Sequence, residues 1–424
     1  MQSWQRLSLC NRQRITSGHR LDRVRPCAIP CQRLASFAWL WILACGGGAN
    51  QGGGEMRVEQ LPDDMLEVIG TSDMISHIAD ATTASDGTIW ILNSAEPYFI
   101  QIASDGSVRR SWGRRGGGPS EFRNPNALVT DSESGNVWVY DRGHHAMLRV
   151  DGDEDVLQTI AVPRDAILPG LIASTENAGS GSGGRVWLRD ASRGVLFAVG
   201  KRGASPFTRL WSADIIRLQP DGSTSVAFAV SDRVGDPATR FGEGATEFLP
   251  YPLWAVCNDG SGAVYSPLRN SVIRYTTDDV VSDSIALPPE QALEITMDRI
   301  FRMAYSFVRE QTPGGQAPDS AMMYAQLQAQ WGEMQAQAAH VFPEYADLHC
   351  AGSGVLWIQR FDPDQGKMGR GPIWYRLESP GPAAAAFHFP EAFQPLRFEG
   401  NVVLGILRDE LDIEHVARLR LPTE

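Results

Sequence analysis

The sequence predicts an all-β fold, a six-bladed β-propeller of four-stranded blades with a helical insertion between blades four and five. Three observations lead to this prediction. A short motif recurs along the chain, each copy lies within a group of strand-like runs, and turn residues are frequent, with 42 glycines and 26 prolines in 424 residues. Propellers often use a chain of this length as one unit.

The recurring motif is a turn followed by a short β run. Its copies are DGTIWILN, SGNVWVYD, GGRVWLRD, SGAVYSPL, SGVLWIQR and a weaker GNVVLGIL. Their aligned positions are Trp90, Trp138, Trp187, Tyr265, Trp357 and Leu404, with spacings of 48, 49, 78, 92 and 47 residues. Three nearly equal spacings indicate a repeat of about 45 residues, as in propeller blades, and the two longer ones indicate insertions.

Each well-formed copy divides into four strands. In the first copy the runs SHIADATTA, TIWILN, YFIQIAS and VRRSW are separated at Asp86-Gly87 and Asp105-Gly106, which are strand and turn signals. The last copy is one strand short, and the early segment MRVEQLPDDMLEVIG has no blade of its own. We expect this segment to supply the missing outer strand and so close the ring. A different division of residues 203–232 would give seven blades.

Strand direction predicts that one face of the propeller carries the long loops. The loop from second to third strand and the connection to the next blade leave from the same face. Both long insertions, one after VWLRD in the third blade and one at residues 289–341, fall there. Residues 289–341 read as two amphipathic helices around TPGGQAP, with apolar stripes at Leu293, Met297, Ile300, Phe301, Ala304 and Val308, and at Met323, Leu327, Trp331, Met334 and Ala338. We expect the helices to pack together and on the rim; a lid or partner-docking element is the alternative.

The N-terminal region is typical of a secretion signal. Arginines precede the short apolar run ASFAWLWILA, which is too short to span a bilayer as a helix. Ile42-Leu43-Ala44-Cys45 resembles a bacterial lipobox, which implies lipidation of Cys45. We therefore predict a lipoprotein signal peptide over 1–45, a Gly-rich tether over 46–55, a propeller over 56–424, and an extracytoplasmic, lipid-anchored location on the periplasmic or outer-membrane face.

The charge of the chain excludes one class of partner. Residues 45–424 carry 31 basic and 49 acidic residues, so this part of the chain should repel nucleic acid. We expect no nucleic-acid partner, and contact with a membrane through the lipid anchor alone. Cys257 and Cys350 occupy similar places in two repeats, which leaves open a disulfide or two free buried cysteines.

The segment WGRRGGGPSEFRNP, residues 112–125, looks at first like a phosphate-binding loop. It lacks Gly-Lys-Ser/Thr, contains Pro119, and precedes no helix. A degenerate copy, RFGEGATEFLPYP, recurs at the same place in the repeat. We therefore interpret the segment as a connector between blades, with Phe122 as its anchor, and keep Arg114 and Arg115 as ligand-face candidates.

Other candidate site residues lie in predicted loops. His144 and His145 suggest a metal, but neighbouring residues point to opposite sides of a strand and no third ligand is evident. Asp409 and Glu410 lie in the acidic segment RDELDIEH. Two interpretations of this segment are open: a cation site, or a turn whose charges are solvated. Around the tunnel, acids and amides are available at Asp80, Asp131, Asn258 and Asp259. We predict no catalytic residue, metal or cofactor; calcium is the alternative.

The blade pattern, the GGGPSEFRNP connection and the ending VVLGILRDELDIEHVARLRL resemble secreted bacterial six-bladed propellers with NHL-like repeats. The resemblance implies the fold over roughly residues 58–424 and says little about function. We expect a lipid-anchored binding or scaffold module for a protein or glycan rather than an enzyme. A metal-dependent hydrolase, lactonase or lyase with its site at the tunnel is the alternative.

Overall fold

The computed structural model describes most of the chain beyond residue 55. The described residues are 56–70, 73–118, 120–130, 137–151, 156–162, 187–188, 195–199, 214–219, 221–229, 253–257, 261–278, 280–311, 319–337, 340–351, 354–364, 370–378, 385–411 and 413–422. They form an all-β unit of antiparallel four-stranded groups, with two α-helices, that has the architecture of a β-propeller.

The first three sheets each contain four strands in chain order. The first has β3 (Ile78–Thr83), β4 (Ile89–Asn93), β5 (Phe99–Ile102) and β6 (Val108–Trp112). The second has β9 (Pro125–Thr130), β10 (Val137–Asp141), β11 (Ala146–Val150) and β12 (Val156–Ala161). The third has β13 (Trp187–Leu188), β14 (Val195–Val199), β15 (Asp214–Leu218) and β16 (Thr224–Ala229). Between the first two, β7 (Arg114–Arg115) and β8 (Glu121–Phe122) pair in parallel.

The remaining three sheets include strands from the N-terminal segment. The fourth has β17 (Trp254–Val256), β18 (Gly262–Ser266), β19 (Ser271–Tyr275) and β20 (Val281–Ala286). The fifth has β21 (Tyr345–Cys350), β22 (Leu356–Phe361), β23 (Arg370–Leu377), β24 (Ala385–His388) and, parallel to β24, β1 (Val58–Gln60). The sixth has β25 (Phe393–Glu399), β26 (Val402–Arg408), β27 (Glu414–Arg420) and β2 (Leu66–Gly70).

Strand β2 closes the arrangement as the sequence predicted. It pairs antiparallel with β27, Leu66 opposite Leu419, and so completes the last sheet. The first strand of each sheet contacts the first strand of its neighbour at five junctions: β3 with β9, β9 with β13, β17 with β21, β21 with β25, and β25 with β3. The first and last sheets are therefore neighbours.

The strand patterns follow from burial between neighbouring sheets. Strands β4, β10 and β18 are buried at every position, since both faces of a second strand pack on adjacent sheets; this explains their continuous apolar runs. Outer strands such as β12 and β20 keep many exposed positions. The sequence alignment was wrong at one place: Trp187 lies on the first strand of the third sheet, whereas the other five aligned residues lie on second strands.

Two helices lie between β20 and β21 along the chain: α1 (Met297–Gln311) and α2 (Ser320–Gln337). Asp319 caps α2, since its Oδ1 accepts the backbone N–H groups of Ala321 and Met322. Ile300 and Leu327, one from each predicted apolar stripe, are buried with Trp254 and Phe342. The helices thus pack by their apolar stripes onto the core of the fourth sheet; the side chain of Ala338 lies outside the described residues.

Candidate functional site

The two faces of the propeller differ in how their loops are built. One face carries the turns that join the first strand of a sheet to the second and the third strand to the fourth; we call it the turn face. We call the opposite face the insertion face. Turns at Gly87, Gly106 and Gly222 on the turn face are short, with φ of 82°, 85° and 84°, a conformation that favours glycine. The insertion face carries α1, α2 and the connector between the first two sheets, and it holds the candidate site.

The connector from Gly113 to Asn124 folds around a carboxylate of its own. Glu121 Oε2 accepts the N–H of Gly118 at 2.8 Å, and Glu121 Oε1 lies 3.0 Å from Nη2 of Arg114. The backbone donors of Gly118 and Gly117 and the nearby Arg114 lower the pKa of Glu121 below its usual range. The glycine-rich loop therefore binds an internal anion, in agreement with its interpretation as a connector.

Phe122 anchors the connector between the first and second sheets. It is fully buried, with its ring centroid 4.8 Å from that of Phe99 and 5.9 Å from that of Trp112. Leu128 and Val139 of the second sheet belong to the same cluster. The side chain thus packs into both sheets, as the sequence predicted.

The connector places Arg114 and Arg115 on the surface. Both are exposed, and the backbone N–H of Arg115 donates to Glu96 Oε1 at 3.0 Å. Arg114 is partly neutralised by Glu121. Arg115 is the more available of the two for an anionic group of a ligand.

A buried aspartate holds His144. Asp141 is fully buried at the end of β10 and accepts the N–H groups of Arg123, Asn124 and Gly143 at 2.8, 3.0 and 2.9 Å. His144 Nδ1 lies 2.8 Å from Asp141 Oδ2. When Nδ1 donates this hydrogen bond, the ring is fixed and Nε2 is free to act as an acceptor.

His145 has a different role from His144. It adopts φ of 50°, and its backbone N–H donates to the carbonyl of Arg142. These are features of a tight turn.

Glu414, from the acidic segment RDELDIEH, forms a second such arrangement. It is buried at the start of β27; its Oε1 lies 2.9 Å from His77 Nδ1 and accepts from Arg408 Nη2 at 2.7 Å. Its Oε2 accepts the backbone N–H of Ile78 at 2.6 Å. Burial raises the pKa of Glu414, but these hydrogen bonds and charges outweigh it and leave the pKa below its usual range.

The acidic segment of the last repeat forms the loop between β26 and β27. Asp409 Oδ1 accepts the N–H groups of Leu411 and Ile413, both at 2.9 Å, and Oδ2 lies 3.0 Å from His415 Nε2. The hydrogen bond from His415 is the main cause of the lowered pKa of Asp409. Asp409 therefore stabilises the loop, and Glu410 is left exposed at its tip.

Asn93 connects the parts of this face around the first sheet. Its Oδ1 accepts the N–H groups of Ser76 and His77 at 3.0 and 3.2 Å, and its Nδ2 donates to the carbonyls of Met74 and Pro97. It holds the entry to the first sheet as Asp141 holds the entry to the second. The WILN and WVYD endings of the motif are the sequence signal for these two positions.

Of the four tunnel candidates, Asp80 lies among the described residues, where it takes part in an ion pair. Asp80 Oδ2 accepts from Leu128 N–H and from Arg397 Nη2, both at 2.8 Å, and Arg397 also donates to the Leu128 carbonyl at 3.0 Å. This buried ion pair joins three neighbouring first strands. Asp131, Asn258 and Asp259 lie outside the described residues.

The cysteines of the propeller are joined. Cys257 and Cys350 form a disulfide with a Cα–Cα distance of 5.1 Å, between the first strands of the fourth and fifth sheets. Cys45 lies outside the described residues.

The helical insertion is fixed to the sheets at both ends. Tyr345 Oη donates to the Pro288 carbonyl at 3.0 Å, and Tyr375 Oη donates to Glu290, which also pairs with Arg360. At the other end, Tyr265 Oη donates to Glu344. Burial raises the pKa of Tyr345 and of Tyr375, so both remain hydrogen-bond donors at neutral pH.

Within the described part of the chain, no three His, Cys, Asp or Glu side chains are grouped closely enough to hold a metal ion. None of its helices is long and apolar enough to cross a membrane.

No protein-family model matches the sequence, and no curated protein shows significant similarity to it. Several solved structures are similar at low identity. One is a catalytically inactive virginiamycin B lyase from Staphylococcus aureus with quinupristin: 13% identity over 84% of this chain and 99% of that one, TM-score 0.39. Another is regucalcin, a calcium-binding protein from Agrobacterium tumefaciens. It is 12% identical over 87% of this chain and 97% of that one, with a TM-score of 0.40. A gluconolactonase from Xanthomonas campestris is 12% identical over 84% of this chain and 89% of that one, with a TM-score of 0.40.

Proposed function

We propose that the chain is an extracytoplasmic, lipid-anchored six-bladed β-propeller with NHL-like repeats that binds a protein or glycan partner through its insertion face. The observation that carries the proposal is the set of exposed and partly exposed side chains that carboxylates and amides hold in place on this face. Binding surfaces of this kind are common on loops that a rigid scaffold positions.

The number of blades rests on the sheets. Five described sheets have four strands, and the fifth sheet has a fifth strand only because β1 adds to its edge. Counting that sheet as one blade supports the proposed number of six.

A ligand-binding role is supported by the preorganisation of the face. Asp141 fixes His144, Glu414 fixes His77, and Glu96 and Glu121 fix the backbone and side chains around Arg115. Side chains that are ordered before binding lose less conformational entropy when a partner arrives.

The test compares binding by the full chain and by variants of one face. Envelope proteins and a glycan array serve as probes. We expect Arg115→Ser combined with His144→Ala to abolish capture of any partner that the wild type retains, whereas Arg109→Ser, near the turn face, leaves capture unchanged. Equal capture by all three proteins would contradict the proposal.

The anchor has a separate test. Cells grown with labelled fatty acid should incorporate label into the wild type, and Cys45→Ala should abolish incorporation. Unchanged labelling of that variant would rule out Cys45 as the lipidation site.

A second candidate function is hydrolysis or lyase chemistry that requires calcium or another divalent ion. The observation in its favour is that His144 and His77 are each oriented through Nδ1 by a buried carboxylate, an arrangement that also orients metal ligands and general bases. Elemental analysis and lactone turnover, with and without a chelator, separate it from binding alone. A stoichiometric ion together with chelator-sensitive turnover that His144→Ala removes would favour the enzyme.

A further inference from the structure

The loop between β26 and β27 presents large aliphatic side chains to solvent. Leu411 is 79% exposed and Ile413 49% exposed. Contiguous exposed apolar surface is uncommon on soluble proteins and often marks an interaction site. This pair stands on the insertion face, because the loop joins a second strand to a third.

The loop is rigid at the positions that carry these residues. Asp409 Oδ1 accepts the N–H groups of Leu411 and Ile413, and the N–H of Asp409 donates back to the carbonyl of Ile413 at 3.1 Å. His415 holds the other carboxylate oxygen of Asp409. Leu411 is therefore held outward by a hydrogen-bonded frame.

A third exposed apolar residue lies in the segment just before the first sheet, which hydrogen bonds connect to this loop. Glu414, next to Ile413, holds His77, and Asn93 fixes His77 and Met74 in the segment just before β3. Met74 is 38% exposed. We call the surface of Leu411 and Ile413 the apolar patch.

The surroundings of the apolar patch carry negative charge. The segment RDELDIEH carries four acidic residues and one arginine. Asp409 and Glu410 are exposed, while Arg408 pairs with the buried Glu414 and His415 pairs with Asp409. An apolar centre with an acidic rim is complementary to a partner with aliphatic side chains between basic ones. The same charges repel an anionic lipid surface and a second copy of this acidic chain.

We infer that the apolar patch is a docking site for a basic, aliphatic segment of a partner protein. The inference rests on the proposed binding function and assigns it a partner class and a subsite. Leu411 and Ile413 supply the apolar contact, and the acidic rim selects the charge of the partner.

The experiment measures binding of a short fluorescent peptide of alternating Arg and Leu to the full chain. We expect Leu411→Asp combined with Ile413→Asp to weaken binding by at least about tenfold. Leu268→Asp, an equally polar change at an exposed leucine on the fourth sheet's loop of the same face, should change affinity less than about twofold. Raising salt from about 50 to about 500 mM should weaken wild-type binding severalfold, and a Glu-Leu peptide should not bind.

Three results would overturn the inference. The first is unchanged peptide affinity in the double variant, and the second is an equal loss of affinity in the Leu268 variant. The third is that the peptide does not bind, while the wild type but not the double variant sediments with phosphatidylcholine vesicles. Because the substituted side chains are exposed, the variants should keep the wild-type unfolding midpoint; Leu411→Ser replaces the double variant if that midpoint falls. Loss of partner capture by the Arg115 and His144 variant, together with no effect at the apolar patch, would leave the proposed function standing and reject the subsite alone.

Discussion

Phe122 shows how one side chain fixes a connector that has little regular structure. The connector consists largely of glycine and charged residues, which cannot supply a core of their own. Phe122 contributes its ring to a cluster of Phe99, Trp112, Leu128 and other residues from two sheets. The position of the exposed Arg115 therefore depends on a buried neighbour.

We expect Phe122→Ala to lower the free energy of unfolding by about 3–5 kcal/mol, since the substitution removes a fully buried aromatic ring and leaves a cavity. Urea unfolding followed by tryptophan fluorescence measures the change. Arg123→Ala, at the exposed next position, should change it by less than about 0.5 kcal/mol. A loss below about 1 kcal/mol for Phe122→Ala would show that the ring does not anchor the connector.

For single residues, the sequence predicts the roles of those that recur in the repeats but not of those that occur once. Phe122 could be identified because its motif recurs at Phe248 in the same place in the repeat. The pairing of His77 with Glu414 could not, because the two residues are 337 positions apart; the acidic segment that contains Glu414 gives no sign of its distant partner. Asp409 was singled out for its charge, and its role in framing the loop depends on backbone geometry that composition does not contain.

Among the elements, the helical insertion has the clearest division between packed and exposed faces. Ile300 and Leu327 are buried against the fourth sheet, while Met322 and Gln326 face solvent. The periodicity of apolar residues predicted both helices, since a 3.6-residue repeat is a local signal. The third sheet was harder: GGRVWLRD and RGVLFAVG both read as a turn followed by a strand, and only pairing identifies the first of them as strand one.

We expect Leu327→Ala to destabilise the helical insertion while the sheets stay folded. Leu327 is buried, so its truncation should cost about 2–5 kcal/mol, most of it local to α1 and α2. Amide hydrogen exchange should accelerate over residues 297–337 and stay unchanged in β3 to β6. Gln326→Ala is the matched control at an exposed position; equal acceleration in that variant would mean that the helices are not held by the apolar stripe.

The disulfide links first strands of neighbouring sheets across 93 residues of chain. Closing so long a loop removes entropy from the unfolded chain, so we expect reduction to lower the free energy of unfolding by about 2–5 kcal/mol. Urea unfolding with and without reductant measures this, and Cys257→Ala combined with Cys350→Ala should be insensitive to reductant. A wild type that is equally insensitive would indicate two free thiols.

For the molecule as a whole, stability depends on joining the last sheet to the first. Strand β2 supplies hydrogen bonds to β27, and Arg397 and Asp80 link the sixth, first and second sheets at their first strands. Glu414 adds a third link, from β27 to His77 and Ile78. The sequence indicated the strand, because one repeat was a strand short, but not the side-chain pairs, which arise only when distant repeats meet.

Glu414 should make this junction sensitive to acid. Its pKa in the folded chain lies below the usual value of 4.5, so its contribution is complete above that value and is lost as the pH falls through the lower, folded pKa. We expect Glu414→Gln to lower the free energy of unfolding at neutral pH by about 1–3 kcal/mol, because buried hydrogen bonds from His77 and Arg408 lose their charged acceptor. Urea unfolding from neutral pH down through the acid range should show the difference between wild type and variant shrinking below about pH 4.5.

Glu67→Gln provides the control for this junction. Glu67 pairs with Arg420 on β2 and β27, but both side chains are more than half exposed, and exposed pairs contribute about 0–1 kcal/mol. Its effect should be small and almost independent of pH. If the two variants lose equal stability at neutral pH, or if the Glu414→Gln difference persists in acid, the junction is held by its strands and apolar core, and Glu414 does not contribute as a buried charge.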